Sequence, residues 1–147
     1  MAERFLCDAM LGKLARYLRM CGYDTAYTLD RGVETDSAIS DLARREDRTL
    51  LTRDTDLAAR TAGAILLAER DIEAQLHELR DAGVSLSLPE TPTRCGRCNG
   101  ALMRVDGVAP TPDDTPDPAE TPLWRCVDCG QYFWKGSHWD DVRGRLP

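Results

Sequence analysis

The sequence has no apolar run close to the roughly 20 residues that a helix needs to cross a bilayer. Its beginning does not resemble a secretory signal peptide, so we expect a cytoplasmic protein without a membrane partner. Lysine is scarce, since Lys13 and Lys135 are the only lysines among 19 basic residues, and the formal net charge is −6. Such a chain is not held on nucleic acid by bulk charge. A nuclease is not excluded, because a cluster that binds catalytic metals is itself acidic.

The composition still supports a folded protein with a metal site. The 147 residues, of which 42% are hydrophobic, suit one medium domain, or a small domain plus a mini-domain that needs a metal or a disulfide to fold. Six cysteines are present: Cys7 and Cys21 stand alone, and Cys95, Cys98, Cys126 and Cys129 form two CxxC pairs. In a chain without an export signal, two CxxC pairs indicate a metal site rather than a disulfide framework.

Residues 3–88 alternate short apolar runs with helical periodicity. The pattern predicts strands at 4–7, 24–29, 49–52, 64–68 and 84–88, with amphipathic helices between them. This order favours an α/β fold, a parallel sheet flanked by helices on both faces. Two prolines at 89–92 mark a boundary, so we expect one domain over residues 1–90 and a second over residues 93–147.

Acidic residues follow the predicted strands. Asp8 and Asp54 close the first and third strands, Asp36 lies at a helix start, and Asp56 follows Asp54. Ligands of parallel sheets collect outside the carboxyl ends of the strands, and converging carboxylates suit Mg²⁺ or Mn²⁺. Such a site can hydrolyse phosphodiesters. Two simpler roles stay open: Asp36 as a helix N-cap, and Asp56 as a first-turn acid favoured by the helix dipole.

The second domain has the features of a zinc ribbon. Four thiolates from two CxxC pairs can close a tetrahedral Zn²⁺ site, and an acidic Pro/Thr-rich stretch at about 108–122 accounts for the 27 residues between the pairs. A disulfide and an iron–sulfur or redox role are the alternatives. The aromatic segment 132–139 either stacks unpaired bases, with Lys135 and Arg97 on phosphates, or packs the ribbon against the first domain. We expect His138 to form a hydrogen bond or to contact substrate rather than to bind metal.

Two sets of motifs together resemble a known family. The stretches 5–24 and 48–54, followed by 94–100, 126–130 and 132–139, resemble the RNase domain of the Mut-seven C-terminal type, a branch of the PIN-like nucleases with a zinc ribbon. The resemblance implies that Asp8, Asp36 and Asp54 bind catalytic metal, with Asp56 as a fourth candidate. It also implies cleavage of single-stranded or structured RNA by a divalent-metal mechanism.

Basic side chains near these acids are candidates for substrate binding. Lys13, Arg16 and Arg19 follow one another along the first predicted helix, and the family pattern retains Arg16 and Arg19. They contact a phosphate backbone in one interpretation and form a solvated helix face in the other. Arg53, beside Asp54, either contacts substrate or pairs with an acid.

Our leading hypothesis is therefore a Mg²⁺- or Mn²⁺-dependent ribonuclease with a structural zinc ribbon that assists RNA binding. RNA is the expected partner, and RNA-processing proteins are further candidates. The alternative is a non-catalytic RNA- or protein-binding module in which the acids are structural. A nucleotide-binding flavodoxin-like domain fits poorly, because the first strand is followed by a single glycine rather than a glycine-rich loop. We also expect Cys126→Ser to unravel the ribbon while residues 1–88 stay folded.

Overall fold

The computed structural model describes residues 3–147 of the chain. Its strands are β1 Arg4–Cys7, β2 Asp24–Tyr27, β3 Thr49–Thr52, β4 Ile65–Leu66, β5 Leu102–Arg104, β6 Trp124–Cys126 and β7 Tyr132–Phe133. Its α-helices are α1 Gly12–Met20, α2 Thr28–Arg31, α3 Asp36–Arg45, α4 Thr55–Arg60, α5 Ile72–Asp81 and α6 Ser137–Arg145, and a 3₁₀ turn at Ala9–Leu11 precedes α1. No helix of residues 3–147 is both long enough and apolar enough to cross a membrane.

Strands β1 to β4 form one parallel sheet in the order β2-β1-β3-β4. The predicted α/β class, a parallel sheet flanked by helices, is therefore confirmed. The register places Cys7 opposite Leu51, and the Asp8 N–H donates to the Leu51 carbonyl at 3.1 Å. The carboxyl ends of the first and third strands consequently meet at the same edge of the sheet, as the sequence predicts.

Helices cover both faces of this sheet because the strand side chains alternate. Phe5 and Cys7 of β1 point into a core shared with α1, α5 and α6. Leu6, between them, belongs to a second core shared with α3 and α4. All three side chains are fully buried, so α1 and α3 lie on opposite faces of the sheet.

The C-terminal region is a small antiparallel sheet followed by a helix that returns to the first domain. Its strands pair in the order β5-β6-β7, and the long loop predicted around residues 108–122 connects β5 to β6. Trp139 and Val142 of α6 are buried in the same core as α1. Phe133 of β7 packs edge-to-face on Trp139, with ring centroids 5.7 Å apart. The ribbon and the α/β domain thus share apolar side chains.

The prediction of a fifth strand at 84–88 is wrong. Its side chains do alternate, with Val84 buried and Leu86 and Leu88 packed on the α1 core. Its backbone joins no ladder, however, and the Val84 N–H instead donates to the Leu79 carbonyl at the end of α5. Burial of alternate side chains against helices is enough to produce the period-2 pattern.

Two predicted strands are also shorter than expected. β2 ends at Tyr27, because residues 28–31 turn into α2. That helix ends at Gly32, whose φ of 65° is favourable for glycine. β4 comprises two residues, Ile65 and Leu66, within the predicted range 64–68.

Candidate active site and metal centre

Asp8 lies immediately after β1, where its carboxylate is fixed by two hydrogen bonds. The Ala9 N–H donates to Oδ1 at 2.7 Å, which caps the 3₁₀ turn. The hydroxyl of Thr52, at the end of β3, donates to Oδ2 at 2.8 Å. Asp8 is half-buried, and both bonds are to neutral donors, so its negative charge is oriented without being neutralised.

Asp54 is the N-cap of α4. Its Oδ1 accepts from the N–H groups of Asp56 at 2.9 Å and Leu57 at 3.2 Å. The Asp54 N–H donates in turn to the Thr52 hydroxyl at 3.0 Å. The fully buried Thr52 therefore connects the two acidic residues, accepting from the backbone of one and donating to the carboxylate of the other.

One cavity is lined by both acids. It has a volume of about 200 Å³ and is bounded by Asp8, Asp54, Arg53, Met10 and Leu11. The Nε of Arg53 is buried and has no hydrogen-bond partner among residues 3–147. An unpaired buried donor costs about 1–3 kcal/mol, so a small shift of the Arg53 side chain that brings this N–H to an acceptor of a ligand would be favourable.

The other two candidate acids lie outside that cavity. Asp36 is the first residue of α3 and is half-buried. Thr35 is the N-cap instead, with its hydroxyl accepting from the Ala38 N–H at 3.2 Å, so Asp36 does not cap this helix. Asp56 is exposed in the first turn of α4. The structure therefore brings together two of the four predicted acids.

The acid pair fits a hydrated divalent ion. Within residues 3–147, no three acidic or histidine side chains lie close enough to enclose an ion. Mg²⁺, however, commonly binds through one or two carboxylates and keeps several waters or takes substrate phosphate oxygens. Asp8 and Asp54 facing one cavity meet that requirement.

The basic residues of α1 have two different environments. Lys13 and Arg16 are exposed, but the Arg19 side chain is only 5% exposed. Its guanidinium donates to the Thr25 carbonyl at 2.8 Å and to the Gly96 and Arg97 carbonyls at 3.1 and 3.3 Å. The expected phosphate contact by Arg19 is corrected accordingly: this side chain joins α1 and β2 to the first CxxC segment.

The four clustered cysteines form the second candidate metal site. Cys95 Sγ lies 3.7 Å from Cys129 Sγ, and Cys98 Sγ lies 3.4 Å from Cys126 Sγ. All four sulfurs are within 4.8 Å of one another. Tetrahedral zinc with bonds of about 2.3 Å requires sulfurs about 3.8 Å apart, so the cluster could hold one Zn²⁺ without a large rearrangement.

Backbone donors favour the thiolate at Cys126, whereas burial is the largest cause that raises the pKa of Cys95 and of Cys98, so a metal would have to displace protons from these two thiols. Burial raises the pKa of Cys126, but the N–H groups of Cys129 and Asp128 outweigh it and, with the neighbouring thiols, lower that pKa to about 7. The Cys129 N–H lies 3.5 Å from Cys126 Sγ, and the Gly100 N–H lies 3.4 Å from Cys98 Sγ. Such N–H···S contacts are typical of turns that stabilise charged sulfur.

Asn99, in the first CxxC turn, docks on the edge strand β2. Its Oδ1 accepts from the Thr25 N–H at 2.9 Å, and its Nδ2 donates to the Asp24 carboxylate at 2.7 Å. Burial raises the pKa of Asp24, but hydrogen bonds from Asn99 and Arg48 and the charges of Arg48 and Arg94 hold it at about 2. The side chain thereby satisfies a backbone donor that an edge strand would otherwise leave unpaired.

Sequence reasoning missed three contributors, each for a different reason. Thr52 is the last residue of a predicted strand and lies two positions before Asp54. That position could have indicated its contact with the acids. Asn99 and the buried role of Arg19 depend on contacts across more than 70 residues. No local pattern encodes such contacts.

Comparison with known proteins identifies one family. The model of the Mut7-C RNAse domain matches residues 3–146, which includes both the acid pair and the four cysteines. No curated protein and no solved structure matches the chain significantly. Because the match spans nearly the entire sequence, the chain belongs to the Mut7-C RNAse domain family.

Proposed function

We propose that the protein is a PIN-like, divalent-metal-dependent ribonuclease that hydrolyses phosphodiester bonds of RNA. The observation that carries this proposal is the Asp8–Thr52–Asp54 arrangement, in which two carboxylates from adjacent parallel strands line one cavity. Family membership supplies the reaction class, since the matching model is that of an RNAse domain.

Each residue of this site has a distinct proposed task. Asp8 and Asp54 would hold Mg²⁺ or Mn²⁺. When bound, the ion would polarise the phosphodiester and lower the pKa of a water molecule. The Thr52 hydroxyl fixes the Asp8 carboxylate so that its remaining lone pairs face the cavity. Arg53, with its unpaired Nε, donates to a phosphate oxygen. Asp36 and Asp56 remain candidates by family resemblance, although neither lines this cavity.

The ribbon has a structural and a binding role in this proposal. A four-cysteine zinc site has no open coordination position, so it stabilises the fold rather than catalysing. Lys13 and Arg16 remain the α1 side chains available for RNA phosphates, since both are exposed.

The test compares Asp8→Asn and Asp54→Asn with a matched control, Asp114→Asn, in the exposed β5–β6 loop. Cleavage of a fluorescent single-stranded RNA in Mn²⁺ is expected to fall about 100-fold or more in the first two variants, because the lost charge weakens metal binding and transition-state stabilisation. The control should cleave like the original protein. Equal cleavage by all four proteins would refute the assignment of the acids.

The non-catalytic module remains the second candidate, because only two of the four predicted acids line the cavity. Its signature differs from that of a nuclease. The original protein would bind RNA or a protein partner but would cut no RNA in Mg²⁺ or Mn²⁺ at any concentration tested.

A further inference from the structure

We propose that a single RNA strand lies along α1, from the Asp8–Asp54 cavity to the ribbon, with phosphates on Lys13, Arg16 and Arg97 and a base stacked on Tyr132. This surface is called the α1 track below. The proposal rests on the ribonuclease function and adds the path of its substrate and the side of the ribbon that meets it.

The first argument is the continuity of cavities along α1. The acid cavity shares Met10 and Leu11 with a cavity of about 240 Å³ that Lys13 also lines. Lys13 borders in turn a cavity of about 310 Å³ that contains Arg16 and His138. Depressions that share lining residues in this way form a path rather than isolated pockets.

The path ends in a fourth cavity, of about 290 Å³, between α1 and the ribbon. Arg16 and His138 line it from the previous cavity, and Arg97 and Tyr132 line it from the ribbon. The α1 track therefore links the acid pair to the zinc site along a single face of the molecule.

The second argument is the charge along the track. Lys13, Arg16 and Arg97 are exposed, and none of them forms an ion pair with an acid within residues 3–147. By contrast, Arg44 and Arg80, elsewhere on the surface, pair with Asp41 and Asp81. Other exposed cations within residues 3–147, such as Arg60 and Arg104, also lack an acid partner but line none of these four cavities, so it is the alignment of the three cations along one path that suits a polyanion.

Some aromatic side chains of the ribbon are buried in the core, and another lines the cavity. Trp124 and Trp139 are 6% and 4% exposed and serve the core. Lys135 donates to the Glu90 carbonyl and lies over the Trp139 ring, 5.3 Å from its centroid. Tyr132 is half-buried in the wall of the ribbon cavity, and the guanidinium of Arg125 lies over its ring, 5.6 Å from the centroid, so a base would stack on the opposite face of that ring. A ring beside cations is the usual combination in sites for unpaired nucleotides.

The joint between α1 and the ribbon holds the cations in place. A Cβ on Gly96 would lie 3.2 Å from Cγ of Arg16, so the stem of Arg16 passes closely over the first CxxC turn. Arg97 in the same turn donates to Oε1 of Gln131 at 3.1 Å. Two cations are thus held on the two sides of one groove before any ligand arrives.

The dimensions favour a short single strand. Residues 11–20 rise by about 15 Å along α1. With stacked bases about 3.4 Å apart, this length spans about four nucleotides between the acid cavity and the ribbon. A duplex needs contacts to two strands across a groove, whereas the α1 track presents one line of cations.

The binding test uses full-length protein carrying Asp8→Asn and Asp54→Asn, so that cleavage cannot distort the measurement. Into this background we introduce Arg16→Glu with Arg97→Glu, or, as the control, Arg44→Glu with Arg80→Glu. Both pairs change the net charge equally. Binding of fluorescein-labelled oligouridine is measured by anisotropy in Mg²⁺ over a series of salt concentrations.

We expect the Arg16/Arg97 pair to raise Kd at least about tenfold and to reduce the slope of log K against log salt by about 1.4, which corresponds to two lost phosphate contacts. The control pair should change neither by much. Affinity should rise with oligonucleotide length up to about four to six residues and then level off. Equal effects of the two pairs, or no RNA binding by the protein with both acids intact, would overturn the α1 track.

Two further measurements test the α1 track without the Arg16/Arg97 pair, in case that variant does not fold. Lys13→Glu changes one exposed side chain outside the ribbon joint and should also weaken binding. Photocrosslinking of 4-thiouridine RNA to the otherwise unchanged protein should label residues 131–138. Crosslinks confined to α3, on the other face of the sheet, would contradict the proposal.

The outcome separates this inference from the proposed function. If the original protein cuts RNA but the two charge-reversal pairs have equal RNA affinity, the ribonuclease function is supported and the α1 track is wrong. If the Arg16/Arg97 pair weakens RNA binding and the original protein never cuts RNA, the α1 track is supported and the ribonuclease function is wrong.

Discussion

Replacing Asn99 by glycine tests whether the ribbon and the α/β domain fold as one unit. The residue has a φ of 73°, a backbone conformation that glycine adopts at little cost. Asn99→Gly therefore removes the side-chain amide without straining the CxxC turn. The four cysteines are untouched, so zinc binding should persist.

The magnitude follows from the two hydrogen bonds that are lost. Thr25 is fully buried, so its N–H would lose its acceptor at a cost of about 1–3 kcal/mol. The bond to the Asp24 carboxylate is charge-assisted, but Arg48, 2.9 Å from the same oxygen, compensates in part. Together we expect the free energy of unfolding to fall by about 2–4 kcal/mol. For a chain of this size, that corresponds to a drop in Tm of about 5–15 °C.

Urea denaturation followed by circular dichroism measures this change, with zinc content determined on the same samples. Gln131→Ala is the matched control, because it removes an exposed side-chain amide of the ribbon and should cost less than about 0.5 kcal/mol. If Asn99→Gly retains zinc and loses no more stability than the control, the docking contact does not couple the two parts.

Two more predictions concern the same joint. The protein should carry one zinc per chain, and Cys126→Ser should lose it and destabilise residues 1–88 as well, because Arg19 bonds to the first CxxC turn and Asn99 of that turn docks on β2. Native hydrogen-exchange protection of β1 and β3 in the variant would contradict this. Stability should also fall in acid. Because the folded-state pKa of Asp24 is lowered to about 2, its contribution of about 2 kcal/mol is complete above pH 4 and is lost between pH 4 and 2. The difference between urea midpoints at pH 6 and pH 2 contains that loss together with the loss from Glu46, whose pKa is also lowered to about 2; the difference should be smaller in Asn99→Gly, where only the Asp24 part is reduced.

These expectations revise one view taken from the sequence. The proline pair at 89–92 suggested a ribbon that unfolds by itself. In the structure, Trp139 and Val142 are buried with side chains of α1, and Arg19 donates to two carbonyls of the CxxC turn. Unfolding of the ribbon would remove two hydrogen bonds of Arg19 and uncover apolar side chains of the α1 core, so we now expect coupled unfolding.

The sheet and the placement of Asp8 and Asp54 were predictable because their signals are local. A short strand with buried apolar residues, followed within two residues by an acid, indicates both the strand and the edge of the sheet at which that acid lies. The segment at 84–88 has the same alternation without being a strand, because period-2 burial does not specify a hydrogen-bonding partner. Helix periodicity likewise placed Arg16 and Arg19 on one side of α1. It carried no information about the CxxC turn that covers Arg19, which lies 77 residues away in sequence.

The distribution of ion pairs explains how an acidic protein can act on RNA. At the amino end of the sheet, Asp24 and Glu46 pair with arginines, and hydrogen bonds from Arg31 and Arg48 lower the pKa of Glu46 to about 2. At the carboxyl end, Asp8 and Asp54 form no ion pair within residues 3–147. Carboxylates that hold a catalytic cation need oxygens that no guanidinium occupies, and Asp8 and Asp54 meet that condition although Arg53 lines the same cavity. One divalent ion would cancel only part of the net charge of −6, at the point where phosphate approaches, and affinity should depend jointly on that ion and the cations of the α1 track.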